Sequence, residues 1–178
     1  MSNRKRCPET VLAIVVVCLT GTTGLCKSNS LKYQLTQFDN TGCMGKGRVQ
    51  DCNGKVMQQI LADGKDAIPV LISQLTETTR TKNQIANYWV DTRSGDVAYI
   101  VLTDLFTKPG TETSEMPGVP DWKTVMNGCD TMAEYCWYKF LHKHGRKSVQ
   151  QAWLRAWNLH KDQAHWDARV QCFRVSRD

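Results

Sequence analysis

The chain has 178 residues, of which 41% are apolar and 22% charged, with a formal net charge of +6. That length holds one domain with a sizeable core and leaves little room for a second. The positive balance points to anionic partners and says nothing about fold.

Arg4, Lys5 and Arg6 precede an unbroken apolar run from Val11 to Leu19, followed by the small residues Thr20, Gly21, Thr22, Thr23 and Gly24. This is the layout of a secretory signal peptide, with cleavage expected after Gly24, so residues 1–24 are read as an export signal. The apolar part is shorter than the ~18 to 20 residues that span a bilayer comfortably. The alternative is an uncleaved N-terminal anchor, in which case membrane contact is confined to this segment. Lipidation is disfavoured because Leu25 precedes Cys26 and Val17 precedes Cys18, where a small residue is needed. The expected location is therefore periplasmic or extracellular. Loss of Arg4, Lys5, Arg6 and Glu9 removes a net two charges and leaves +4.

The remaining residues 25–178 are read as a single all-α domain of about six or seven helices. Residues 25–50 form an irregular entry segment in which Tyr33, Leu35 and Phe38 alternate weakly. Val56, Met57, Ile60 and Leu61 then predict a short amphipathic helix that Gly64 ends. Asp66 is placed to cap the next helix, Pro69 lies in its first turn, and Ile68, Leu71, Ile72 and Leu75 form one stripe. After a polar connection holding Tyr88 and Trp89, Ser94 is expected as the N-cap of a helix whose apolar face is Val97, Ala98, Val101, Leu102, Leu105 and Phe106. Asp96 belongs at its positive end.

Ile68-Pro69-Val70-Leu71-Ile72-Ser73-Gln74-Leu75 and Gly95-Asp96-Val97-Ala98-Tyr99-Ile100-Val101-Leu102 together resemble a HEAT-like helical hairpin, over residues Asp51 to Phe106. The resemblance implies protein interaction rather than chemistry.

Pro109-Gly110, Pro117-Gly118 and Pro120 mark a loop, residues 107–120, read as a mobile connector that also offers contact surface. Asp121 caps a short helix carrying Trp122, Val125 and Met126. Thr131 with Glu134, and Ser148 with Gln151, have capping-box spacing and are expected to open the next two helices, with Gly145 between them. Val149, Ala152, Trp153, Ala156, Trp157 and His160 share the inner face of the second. A last helical turn is expected from Gln163 to Val170.

Cysteine use follows from export, since an oxidising compartment favours disulfides. Sequence alone does not select the pairing. Proximity favours Cys43 with Cys52 and Cys129 with Cys136, and Cys26 with Cys172 would tie the ends together.

Residues 139–178 hold nine basic side chains against Asp162, Asp167 and Asp178, a net of +6, whereas residues 25–138 carry eleven basic and thirteen acidic residues, a net of −2. The candidate contact residues are therefore Lys143, Arg146, Lys147 and Arg155, with Trp137 as an aromatic neighbour lying off the main stripes, as does Trp166. The plainer reading of the charges is that they solvate the outer helix faces.

No zinc-type spacing, nucleophile elbow or phosphate loop is present in the sequence. No cofactor, metal or nucleic acid is therefore expected. The leading expectation is a non-enzymatic binding protein, inhibitor- or immunity-like, for an anionic protein or envelope component. The alternatives are an envelope hydrolase using Glu134, His142 and His144, and a structural envelope component.

Overall fold

The computed structural model describes residues 32–39, 48, 51, 52, 54–82 and 91–176. Residues 1–24, read as an export signal, and Cys26, Cys43, Tyr88 and Trp89 lie outside the described residues. Among the described residues the chain is mostly helical with one small sheet. A 3-10 turn, Leu35–Gln37, leads to α1 (Lys55–Asp63), a second 3-10 turn (Gly64–Asp66), α2 (Ala67–Gln74), α3 (Ser94–Leu105), α4 (Trp122–Met126), α5 (Ala133–His144) and α6 (Arg146–His160), then β1 (Ala164–Asp167) and β2 (Cys172–Val175).

Helix α3 is the centre of the packing. Every residue from Ser94 to Leu105 except Asp104 is buried, so the helix is enclosed on all sides rather than along one stripe. α2, the first 3-10 turn and β2 pack against it, and α6 closes over α2. Gly95 lies where the first turn of α3 crosses the end of α2. A Cβ there would come within 2.6 Å of the Leu75 carbonyl oxygen and 2.7 Å of that of Glu77, so only glycine fits.

Aromatic rings fill the space beside α3. Tyr99 stacks on Trp137 at 3.9 Å between centroids and takes the edge of Trp122 at 5.3 Å, tying α3 to α5 and α4. Buried and far from water, the Tyr99 hydroxyl is pushed well above its ordinary pKa, and it donates to the Pro120 carbonyl at 3.0 Å. Phe106 joins Trp153 of α6 to Phe173 of β2. Tyr33, Leu35 and Phe38 of the entry segment are all buried, held by a 3-10 turn rather than a strand.

Four local expectations are corrected. Arg93, not Ser94, occupies the N-cap of α3, because Asp96 Oδ2 accepts the Arg93 backbone N–H at 2.8 Å and draws the helix start back by one residue. Neither capping box forms: α5 starts after Met132 with Glu134 buried, and α6 starts directly after Gly145, whose φ of 78° makes the turn. The segment expected as a last helical turn is an antiparallel hairpin, so the chain is not all-α. Its register sets Trp166 opposite Phe173, their rings edge to face at 5.2 Å, and the positive φ of Gln171 closes the turn. Loop 107–120 is anchored, with Met116, Val119 and Pro120 buried and the Glu115 N–H donating to the Phe106 carbonyl.

Cys129 and Cys136 form the expected disulfide. A bridge closing so short a loop contributes about 2–3 kcal/mol. Cys52 is disulfide-bonded as well. Cys172 is a free, fully buried thiol, which removes the bridge to Cys26. Desolvation raises its pKa and keeps it protonated.

Candidate functional site

The basic residues read from the sequence divide between an inner and an outer side of the α5–α6 pair. On the inner side the organising group is Asp96, a carboxylate with no exposed surface. Its Oδ1 accepts Trp137 Nε1–H from α5 at 2.7 Å and Arg146 Nη2–H from α6 at 2.6 Å, while Oδ2 takes the Arg93 backbone N–H. One side chain thus caps α3 and fixes the two helices that follow Cys129. The Arg146 side chain is 18% exposed, and its Nη1 is buried without a hydrogen-bond partner, so its charge is committed to Asp96.

Trp137 and Arg146 are therefore not surface contacts. Trp137 is 1% exposed and packed between Tyr99 and Phe140. Its indole N–H needs a buried acceptor, and Asp96 supplies one. Arg146 is drawn inward because an unpaired carboxylate at Asp96 would be costly to bury.

The outer side holds the rest. Lys143, Lys147 and Arg155 are exposed, as are Lys139 and Lys161, and none of the five makes an ion pair among the described residues. Lys55, Lys65, Lys82 and Lys123 are also exposed without an ion pair among the described residues, but they are scattered over separate elements, whereas the five stand on or directly after α5 and α6. Several other described cations are paired. Lys32 pairs with Asp63, Arg80 and Arg93 with Asp91, Lys108 and Arg174 with Glu115, and Arg169 and Arg174 with Asp167. Asp63 and Asp167 both sit below the usual carboxylate range, Asp63 chiefly through the Tyr33 hydroxyl and Asp167 chiefly through the Arg169 backbone N–H. The Tyr33 hydroxyl is in turn raised, mostly by burial.

The hydrolase trio does not assemble. Glu134 is buried in the first turn of α5, whereas His142 and His144 are exposed at its other end, about 12 and 15 Å along the axis at ~1.5 Å per residue. The His144 ring lies against Phe140. Among the described residues no group of three or more His, Cys, Asp or Glu side chains is arranged to hold a metal ion, and no helix is long and apolar enough to cross a membrane.

Two residues that position this region had no signature in the sequence. The guanidinium of Arg48 donates to the carbonyls of Asp104 and Thr107 at the end of α3 and to those of Val170 and Gln171 in the hairpin turn. It places a cation at the negative end of α3 and holds the hairpin there. Gln150 Nε2 of α6 donates to the Ile72 and Ser73 carbonyls at the end of α2. Both pairings span more than fifty residues, beyond the reach of any local pattern.

Compared with known proteins, the chain matches no family model, no curated protein and no solved structure.

Proposed function

We propose that this chain is a non-enzymatic interaction protein, inhibitor- or immunity-like in its mode of action, that works outside the cytoplasm by binding an anionic protein or envelope component. The observation that carries the reading is the concentration of five exposed cations on or directly after α5 and α6, Lys139, Lys143, Lys147, Arg155 and Lys161, none in an ion pair among the described residues. Charges left in this way contribute little to stability and are free to steer an oppositely charged partner. The disulfide at Cys129–Cys136 supports an oxidising compartment. The signal-like residues 1–24 supply the route, and the HEAT-like residues 51–106 fit a scaffold for interaction.

The contact surface is assigned to Lys143, Lys147 and Arg155, with Trp137 and Arg146 moved from contact to support. The test is titration of the purified, identified binding partner against wild type and the K143E/K147E/R155E variant, with folding checked by circular dichroism. Affinity is expected to fall by about tenfold or more at low salt, and the difference to shrink as salt screens the charges. A folded triple variant with wild-type affinity at low salt rules the reading out.

A further inference from the structure

Beyond charge, a binding face needs apolar side chains that can be desolvated at its centre. The large apolar residues exposed among the described residues are Met132, Tyr135, Leu154, Leu159 and Trp166, all between residues 132 and 166, the stretch that also holds Lys139, Lys143, Lys147, Arg155 and Lys161. Two helix faces carry them. On α6, Leu154 and Leu159 are interrupted by Gln151 and Asn158 and followed by Asp162, all exposed. On α5 the pattern is cleaner: Tyr135, Lys139, His142 and Lys143 fall at i, i+4, i+7 and i+8, one side of the helix, and each is exposed, as is Met132 at the N-cap directly before it. Asp130 precedes this face, and the one acidic residue within α5, Glu134, is buried.

We infer that the outer face of α5 is the docking site for an acidic protein segment, with Tyr135 and Met132 as its apolar anchor and Lys139 and Lys143 as its cationic flank. This rests on the binding reading above and names the helix and the partner's chemistry. Three observations support it. Tyr135 and Met132 are 60% and 59% exposed and lie three residues apart in the chain, and tyrosine and methionine are among the residue types enriched at interfaces, whereas leucine is under-represented at hot spots. The first turn of α5 is held by the Cys129–Cys136 disulfide immediately beside them, and by Trp137 on Asp96, so the anchor is pre-organised and little ordering is needed on binding. The two lysines lie four residues apart with no acid between them, which complements carboxylates on successive turns of an acidic helix. An anionic bilayer is a poorer fit, since two apolar side chains at one end of the face are too little for interfacial insertion.

The experiment uses two synthetic helical peptides, both glutamate-rich and equal in charge, one with leucines along one side and the other with alanines there. Each is titrated into the full chain while backbone amide resonances are followed. The leucine peptide is expected to shift residues 132–143 preferentially, to bind about fivefold or more tightly than the alanine peptide, and to lose a similar factor in the Y135A and K139E variants. Wild-type affinity in Y135A, or shifts centred away from α5, overturns the inference. So does binding to vesicles of phosphatidylcholine and phosphatidylglycerol with no response to the leucine peptide. Equal binding of both peptides, abolished in K143E/K147E/R155E, sinks the anchor on α5 while leaving the charge-based reading standing.

Discussion

On the inner side of the α5–α6 pair, Arg146 reaches the buried Asp96 carboxylate, whereas its chain neighbour Lys147 stands in solvent without an ion pair among the described residues. Both side chains add to the same positive run in the sequence, yet one holds helices together and the other is spent on no ion pair of the described fold. Net charge over a segment therefore overstates what is available to a partner. The useful quantity is the charge left after the fold has neutralised its own carboxylates.

The sharpest way to break this contrast is to remove the inner acceptor. Asp96→Ala leaves the Arg146 guanidinium and the Trp137 indole N–H buried without their partner and takes away the α3 cap. Urea unfolding is expected to show a loss of about 3–5 kcal/mol. A loss below about 1 kcal/mol, the range of an exposed pair, would mean that the inner side is not structural.

Arg48 sharpens the same comparison from another inward cation. Its guanidinium satisfies carbonyls of α3 and of the hairpin turn, so Arg48→Ala is expected to cost about 2–3 kcal/mol and to speed amide hydrogen exchange in β1 and β2 more than in α1. Uniform loss of protection across the chain would contradict a local clamp.

A smaller effect comes from the surface. Asp63, hydrogen-bonded by Tyr33 and paired with Lys32, has a folded pKa depressed below its ordinary 3.8. The stabilisation this represents is present in full above the unfolded value and is lost as pH falls through the folded one. Wild type is thus expected to lose stability relative to Asp63→Asn on acidification below about pH 4, and to match its pH dependence above about pH 6. Parallel curves throughout would place Asp63 outside the folding linkage.

How much of this was legible beforehand depends on the range of each interaction. The stripes of α1 and α2, the Asp121 cap on α4 and the Gly64 and Gly145 helix ends are set by neighbours within a turn or two, and the sequence pattern located them. The hairpin was missed because Ala164–Asp167 shows no clean alternation, and its strand character comes from pairing with Cys172–Val175. The same distinction explains the site. Lys143, Lys147 and Arg155 are exposed, which follows from the local pattern because exposure of a charged helix face is local. Arg146 and Trp137 were misplaced because their positions are decided by Asp96, fifty and forty-one residues away in sequence. No motif marks Arg48, whose carbonyl acceptors lie on two later elements.

The division between inner and outer cations is tested most directly by making one neutral substitution at the two adjacent positions, Arg146→Gln and Lys147→Gln, and measuring urea unfolding of each. Arg146→Gln is expected to lose about 3–5 kcal/mol, and Lys147→Gln to stay within about 0.5 kcal/mol of wild type. Two variants that unfold at the same urea concentration would contradict the account.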